Sequence, residues 1–254
     1  MYNKRQTKAI ILIILLATAA MVTRYEVKSR EKNNVIGKNQ IELTDGTLTP
    51  EALWAMGRIG SVSVSPDKSK IAYQVTYYNV AENKGHTVIC LMNIDGTDNK
   101  QLTKSHYNEH SPAWLSDGRI AYISNRSGKE QIWAMDTKGK HKEQLSFAEK
   151  DVEGFLFSPD ESQVLMIMSI PNPLVKEQQY EDLPKATGMV AEDLMYRHWD
   201  RWVTSIPHPF IAAFDGEKVS ETTLDLLNGE PYESPMLPFG GVEQFAWSPD
   251  SKTI

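Results

Sequence analysis

One cysteine in 254 residues excludes an internal disulfide framework. Cys90 sits in the alternating apolar run "TVICLMNI" and reads as a small core residue, because a strand interior buries an inert thiol. No excess of positive charge is present either. The formal charge is -6, and no Lys/Arg-rich stripe emerges, which argues against nucleic acid as a partner. Metal-ligand clusters are also lacking. "HYNEH" places His106 and His110 four apart but lacks the His-Glu-x-x-His order, and His198 with His208 has no third ligand in view, so neither metal nor cofactor is expected.

The longest hydrophobic run, Ala9–Val22, follows Lys4, Arg5 and Lys8 and falls short of the ~20 residues that span a bilayer. It suits a secretory signal (residues 1–23) with Ala17-Thr18-Ala19 as the small-x-small cleavage pattern; an uncleaved N-terminal anchor is the alternative. Either reading predicts export, and hence a periplasmic location. Residues 24–47 are polar and charged and read as a linker.

What the sequence does contain is a repeat. "VSVSPDKSKIAYQV" from Val62, "PAWLSDGRIAYIS" from Pro112, "FLFSPDESQVLMIM" from Phe155 and "FAWSPDSKTI" from Phe245 share one grammar. An alternating apolar stretch leads into Ser-Pro-Asp or Ser-Asp-Gly, and a second β-rich stretch follows. This is hairpin chemistry: proline presets φ, and the aspartate bonds its own backbone. The turn aspartates Asp67, Asp117, Asp160 and Asp250 are separated by 50, 43 and 90 residues. Periods of about 40 to 50 with four strands each predict an all-β chain of propeller blades. The expected blades cover 58–104, 107–147 and 151–228, the last carrying an insertion at 171–207 that explains the doubled spacing. A fourth blade starts at 242–254, which makes about three and a half four-stranded antiparallel blades within residues 48–254. Ahead of them, "LTPEALWAMGRIG" predicts a short helix capped by Thr49, with Pro50 in its first turn and Gly57 or Gly60 at its end.

The insertion is the chemically dense part. From Ala191 to Val203 the spacing predicts a helix with Leu194, Met195, Trp199 and Trp202 as apolar contacts. Arg197 with Asp193 or Asp200 matches helical ion-pair spacing, so an ordinary surface pair competes with any binding role.

The "LTPE" helix, the "SPD" turns, "ISNRSGKEQIWAM" and "LPKATGMVAEDLMYRHWDRW....PHPFIA" together resemble the N-terminal half of a serine peptidase of the prolyl-oligopeptidase family. The resemblance covers residues 48–254. It implies a propeller followed by an α/β-hydrolase domain bearing a Ser-Asp-His triad, and no Gly-x-Ser-x-Gly elbow occurs in this sequence. The hydrolase domain and its triad are therefore expected beyond Ile254, the chain itself being a fragment of the enzyme and inactive alone. The implied activity is release of dipeptides from oligopeptide N-termini, with the propeller gating access. Such an enzyme must bind a free α-ammonium group. Glu192, Asp193 and Asp200 are the candidate acceptors, Trp199 and Trp202 the candidate apolar walls, and Arg197 a candidate grip on a carbonyl. Implied partners are oligopeptides and the chain's own hydrolase domain, with homodimerisation allowed. The competing function is a non-catalytic periplasmic binding propeller of the TolB type.

Overall fold

In the computed structural model, the described residues are 46–176, 182, 185, 190–191, 197–199 and 201–254. The expected signal or anchor and most of the linker lie outside them. Contacts divide the chain into two compact units: one takes residues up to Ile59 with Val75–Thr87 and Lys104–Tyr107, the other Gly60–Gln74, Val88–Thr103 and Asn108–Ile254.

The first unit contains helix α1, Pro50–Ala55. Thr49 caps it by accepting the Ala52 N–H at 3.2 Å, and Pro50 occupies the first turn, where no backbone donor is missed. The helix stops at Met56, whose backbone is already extended, one residue before Gly57. Trp54 meets Tyr78 edge to face at 5.4 Å, and the Arg58 guanidinium lies 5.7 Å from the Trp54 ring centre.

Three four-stranded antiparallel sheets follow the sequence repeat. The first has order β1(Arg58–Val64), β2(Lys70–Asn79), β3(Lys84–Asn93), β4(Lys100–Gln101). The second has β5(Glu109–Trp114), β6(Ile120–Ser124), β7(Gln131–Met135), β8(Glu143–Gln144). In chain order the next strands are β9(Gly154–Phe157), β10(Gln163–Pro171), β11(Val175–Lys176), β12(Val190–Ala191), β13(Arg197–His198), β14(Arg201–Trp202), β15(Ser205–Phe214) and β16(Val219–Asp225). The third sheet is ordered β16-β15-β10-β9, so the four strands between β10 and β15 belong to the insertion.

Each turn is built as its residues dictate. Ser65 Oγ donates to Asp67 Oδ1 at 2.6 Å and accepts the Lys70 N–H at 2.9 Å, while Asp67 Oδ1 accepts the Ser69 N–H at 3.0 Å. Ser158 and Asp160 repeat this pattern, with Gln163 N–H to Ser158 Oγ at 3.0 Å and Ser158 Oγ to Asp160 Oδ1 at 2.8 Å. Residues after the aspartates take positive φ: Lys68, Gly118, Glu161 and Ser251 stand at 59, 86, 54 and 61°. These hydrogen bonds hold Asp67 and Asp160 at a pKa of about 2, below the usual 3.8, the largest contributions being the Ser65 hydroxyl and the Ser162 N–H respectively. A depressed pKa stabilises the fold above the unfolded value, and that stabilisation is lost as pH falls toward 2. Asp160→Asn should accordingly flatten the acid limb of a pH–stability profile between about pH 4 and 2; an unchanged limb would contradict the assignment.

Two cores hold neighbouring sheets together. Between the first and second lie Ala72, Ile89, Leu91, Leu102, Ile120, Tyr122 and Met135. Between the second and third lie, among others, Leu115, Ile123, Ile132, Leu145, Phe155, Val164, Met166 and Phe214. Every residue of β6 is buried, since both faces of a middle sheet are covered. Gly139, at φ 71°, brings the β7–β8 turn so near the first sheet that a Cβ would lie 2.5 Å from Leu102 O. Cys90 is buried at 5% exposure, and burial pushes its thiol pKa up, which opposes nucleophilic use.

A second repeated device joins the sheets. Trp114 Nε1 donates to Ser63 O on β1 at 3.1 Å, and Trp247 Nε1 donates to Leu156 O on β9 at 3.1 Å. Each indole stands three residues before its turn aspartate and each carbonyl four before the preceding one. Trp114→Phe should lower stability by about 1 kcal/mol, the net worth of one hydrogen bond, in a denaturant titration.

The expected opening strand of a fourth blade is not formed. Val242–Gln244 is a single 3-10 turn, and no strand follows among the described residues. The turn at Ser248–Ser251 is complete, with Ser248 Oγ to Asp250 Oδ1 at 2.7 Å and Ser248 N–H to Thr253 O at 2.7 Å. Among the described residues its flanks pair with no strand.

Candidate functional site

Antiparallel order puts the starts of the first and third strands of a sheet at the same edge as the ends of the second and fourth. In the third sheet that edge carries Glu153, Pro171, Ser205 and Asp225, and from it the insertion departs. Its base is pinned by Asn172, whose N–H donates to Thr204 O and whose Nδ2 donates to Val203 O, both at 2.9 Å.

The predicted helix over 191–203 is overturned where the chain is described. Arg197 pairs with Trp202 and His198 with Arg201 in an antiparallel ladder, and Trp199 in the connecting turn has φ 54°. Among its described residues the insertion contains this hairpin and β11 paired with β12, and none of them is helical. Two physical reasons favour the hairpin. Aromatic and β-branched residues crowd Trp199, Trp202, Val203 and Thr204, which suits extended chain. Arg197 and Trp202 also form a directly opposed cross-strand pair, the guanidinium 5.3 Å from the ring centre. Arg197 Nε additionally donates to Trp199 O at 3.2 Å.

Of the six candidate residues, Arg197, Trp199 and Trp202 are thus brought onto one short hairpin. Glu192, Asp193 and Asp200 lie outside the described residues. Trp199 is 68% exposed and Trp202 47%, both presenting aromatic surface outward.

The carboxylate that meets this hairpin is one that sequence reasoning missed. Glu233 Oε2 accepts from Arg201 Nη2 at 3.0 Å, and its Oε1 lies 3.7 Å from His198 Nδ1. Glu233 reaches this place because the chain after β16 runs back along the start of β15. There Leu226 N–H donates to Pro209 O at 3.0 Å and Ser234 N–H to Pro207 O at 2.8 Å. The prolines are tolerated because β16 pairs with β15 only up to Phe210, which leaves Ser205–Pro209 as a local edge on that side. Buried His208 clamps the corner: its Nδ1 lies 3.0 and 3.1 Å from the two Asp225 oxygens. The same segment carries Phe239 to Trp199, edge to face with ring centres 4.9 Å apart. The cluster of aromatic and proline residues in "PYESPMLPF" was the available signal.

Beside the insertion base, at the joint of the second and third sheets, Lys129, Lys150, Asp151, Glu153 and Ser169 line a cavity of about 250 Å³. Asp151 accepts the Glu130 N–H at 2.7 Å, and Ser169 donates to Glu153 at 2.6 Å. His110 has Ser111 Oγ at 3.0 Å from Nδ1 and Glu130 at 3.4 Å from Nε2, so both its ring nitrogens face protein groups.

Comparison with known proteins places this geometry in a family. The chain is 44% identical over 228 residues to dipeptidyl-peptidase 5 of Porphyromonas gingivalis, covering 87% of this chain and 33% of that protein. It is 33% identical over 248 residues to dipeptidyl-peptidase 5 of Porphyromonas endodontalis, covering 97% and 35% respectively. The chain therefore spans about a third of the length of these relatives. Among solved structures, an acylaminoacyl peptidase in complex with Z-Gly-Gly-Phe-chloromethyl ketone is similar with a TM-score of 0.50 at 15% identity, over 68% of this chain and 26% of that one, which speaks for the fold alone. The TolB beta propeller domain family matches residues 44–182, and with its three four-stranded sheets this chain belongs to that family, as a propeller segment of the peptidase kind.

Proposed function

We propose that this chain is the propeller part of an exported serine dipeptidyl-peptidase, and that its insertion hairpin forms part of the wall that receives the substrate N-terminus. The observation that carries the reading is the 44% identity to a dipeptidyl-peptidase across 87% of the chain, insertion included. The hairpin supports it chemically. Trp199 and Trp202 offer apolar surface to a dipeptide side chain, Arg197 and Arg201 offer donors to its carbonyls, and Glu233 is a carboxylate within the same cluster. The chemistry itself, serine attack with a histidine base and an oxyanion hole, belongs to a hydrolase domain outside this chain. Glu192, Asp193 and Asp200 remain the proposed acceptors for the substrate ammonium group. Oligopeptides are the proposed substrates, and the periplasm the proposed location.

The test uses the enzyme with its hydrolase domain attached. It should release dipeptides from a free-amine peptide and leave the N-acetylated peptide intact. Equal cleavage of the two removes the ammonium anchor from the account, and failure to cleave either leaves the non-catalytic TolB-type binding propeller as the better description.

A further inference from the structure

The cavity at the base of the insertion carries charge of both signs that is not neutralised within it. Its space is about 250 Å³, and Lys129, Glu149, Lys150, Asp151, Glu153 and Ser169 line it. One wall is held by a buried side chain. Gln131, 2% exposed, accepts the Ala148 N–H on Oε1 at 2.9 Å and donates from Nε2 to Ala148 O at 3.2 Å and to Lys150 O at 2.9 Å. Asp151 Oδ1 accepts the Glu130 N–H at 2.7 Å, and Lys129 Nζ donates to Glu149 O. Residues 148–151 are thus fastened, one after another, to residues 129–131.

Elsewhere in the second sheet opposite charges meet: Glu109 Oε1 accepts from Arg126 Nη2 at 2.9 Å and from Lys142 Nζ at 3.3 Å. In the cavity they do not. Among the described residues no ion pair joins Lys150 to Asp151, Glu153 or another carboxylate, and its ammonium lies instead 6.0 Å from the Phe210 ring centre. Glu153 gives Oε1 to the Ser169 hydroxyl at 2.6 Å, and its Oε2 has no partner among the described residues. Fixed walls that hold an ammonium apart from carboxylate oxygens suit a ligand bearing the two opposite charges, since neither wall has to reorganise to receive it.

We propose that this cavity binds a small zwitterion with a free ammonium and a free carboxylate, the dipeptide released by the proposed reaction. Its ammonium meets Glu153 and Asp151, and its carboxylate meets Lys150. At about 30 Å³ per water the space holds about eight waters, room for a small dipeptide. A substrate peptide brings the ammonium without a carboxylate close to it, so the cavity tells product from substrate. That the zwitterion is a dipeptide rests on the proposed function; the charge arrangement does not, and a free amino acid offers the same two groups.

The experiment is calorimetric titration of the full chain, at constant pH and ionic strength, with Ala-Ala, N-acetyl-Ala-Ala, Ala-Ala amide and alanine. The expected result is saturable binding of Ala-Ala and a Kd about tenfold higher for the acetylated and amidated forms, each of which lacks one charge. Glu153→Gln should erase most of the advantage of Ala-Ala over its N-acetyl form, and Lys150→Met most of its advantage over the amide. Both side chains reach the surface, so the substitutions leave the fold intact. Absence of Ala-Ala binding, or equal binding of all three peptides, overturns the site, and alanine binding as tightly as Ala-Ala overturns its assignment to a dipeptide. Loss of Ala-Ala binding in Trp199→Ala but not in Glu153→Gln moves the ligand to the hairpin and overturns the site as well. None of these titrations needs turnover: a chain that binds Ala-Ala while the enzyme with its hydrolase domain spares every peptide keeps this site and loses the peptidase reading.

Discussion

Glu109→Ala is expected to lower the unfolding free energy by about 3–5 kcal/mol, the range for removing one partner of a buried ion pair. The Glu109 side chain has no exposed surface, whereas Arg126 and Lys142 retain 27% and 18%. Removing the carboxylate therefore leaves two largely buried cations facing each other. The Arg126 guanidinium lies 5.7 Å from the Trp133 ring centre, a contact that holds it at the cluster after the carboxylate is gone. At about 2–4 °C per kcal/mol for a domain of this size, the loss should appear as a fall in Tm on the order of 10 °C. The built-in comparison is Asp98 with Lys100, whose side chains are 58% and 42% exposed at a separation of 3.0 Å. Asp98→Ala should cost no more than about 1 kcal/mol. Similar losses in the two variants would show that burial of Glu109 carries no special weight.

On the proposed function, Glu233→Ala in the enzyme with its hydrolase domain attached is expected to lower kcat/KM toward a free-amine oligopeptide by about tenfold to a hundredfold, chiefly through KM, while leaving global stability nearly unchanged. The stability effect is small because the cluster is partly exposed: Glu233 retains 20%, Arg201 32% and His198 26%. The effect on turnover is larger because Glu233 alone among the described carboxylates meets both strands of the hairpin, through His198 and Arg201. Without it the hairpin loses its ion pairs to this segment and keeps the edge-to-face contact of Trp199 with Phe239. A misplacement of about 1 Å in a group that positions substrate is enough for a hundredfold loss. Glu233→Gln keeps an oxygen for Arg201 and should recover most of the activity. A purely structural part for Glu233 would instead move Tm and leave the ratio of KM to kcat alone.

What was readable in the sequence was whatever is decided locally. The turns at Asp67, Asp160 and Asp250 are closed by side chains within five residues, so Ser-Pro-Asp announces its own geometry. Helix α1 was readable for the same reason, its cap and its proline lying inside one turn of chain. The hairpin at Arg197–Trp202 was misread because its charges also satisfy helical spacing. What decides between the two is a cross-strand cation–aromatic contact and a positive φ at Trp199, neither of which has a sequence period. Glu233 was missed because only the return of the chain along Pro207 and Pro209 carries it to the insertion. Glu109 was overlooked inside "HYNEH", a stretch read for its histidines, although the carboxylate between them is the buried residue.

The two tryptophan bonds make neighbouring repeats share a residue: Trp114 and Trp247 each precede their own turn, yet the acceptor of each indole is a carbonyl of the preceding sheet. A substitution at either position is therefore felt across two repeats rather than within one, in keeping with an architecture in which each repeat is held by its neighbours.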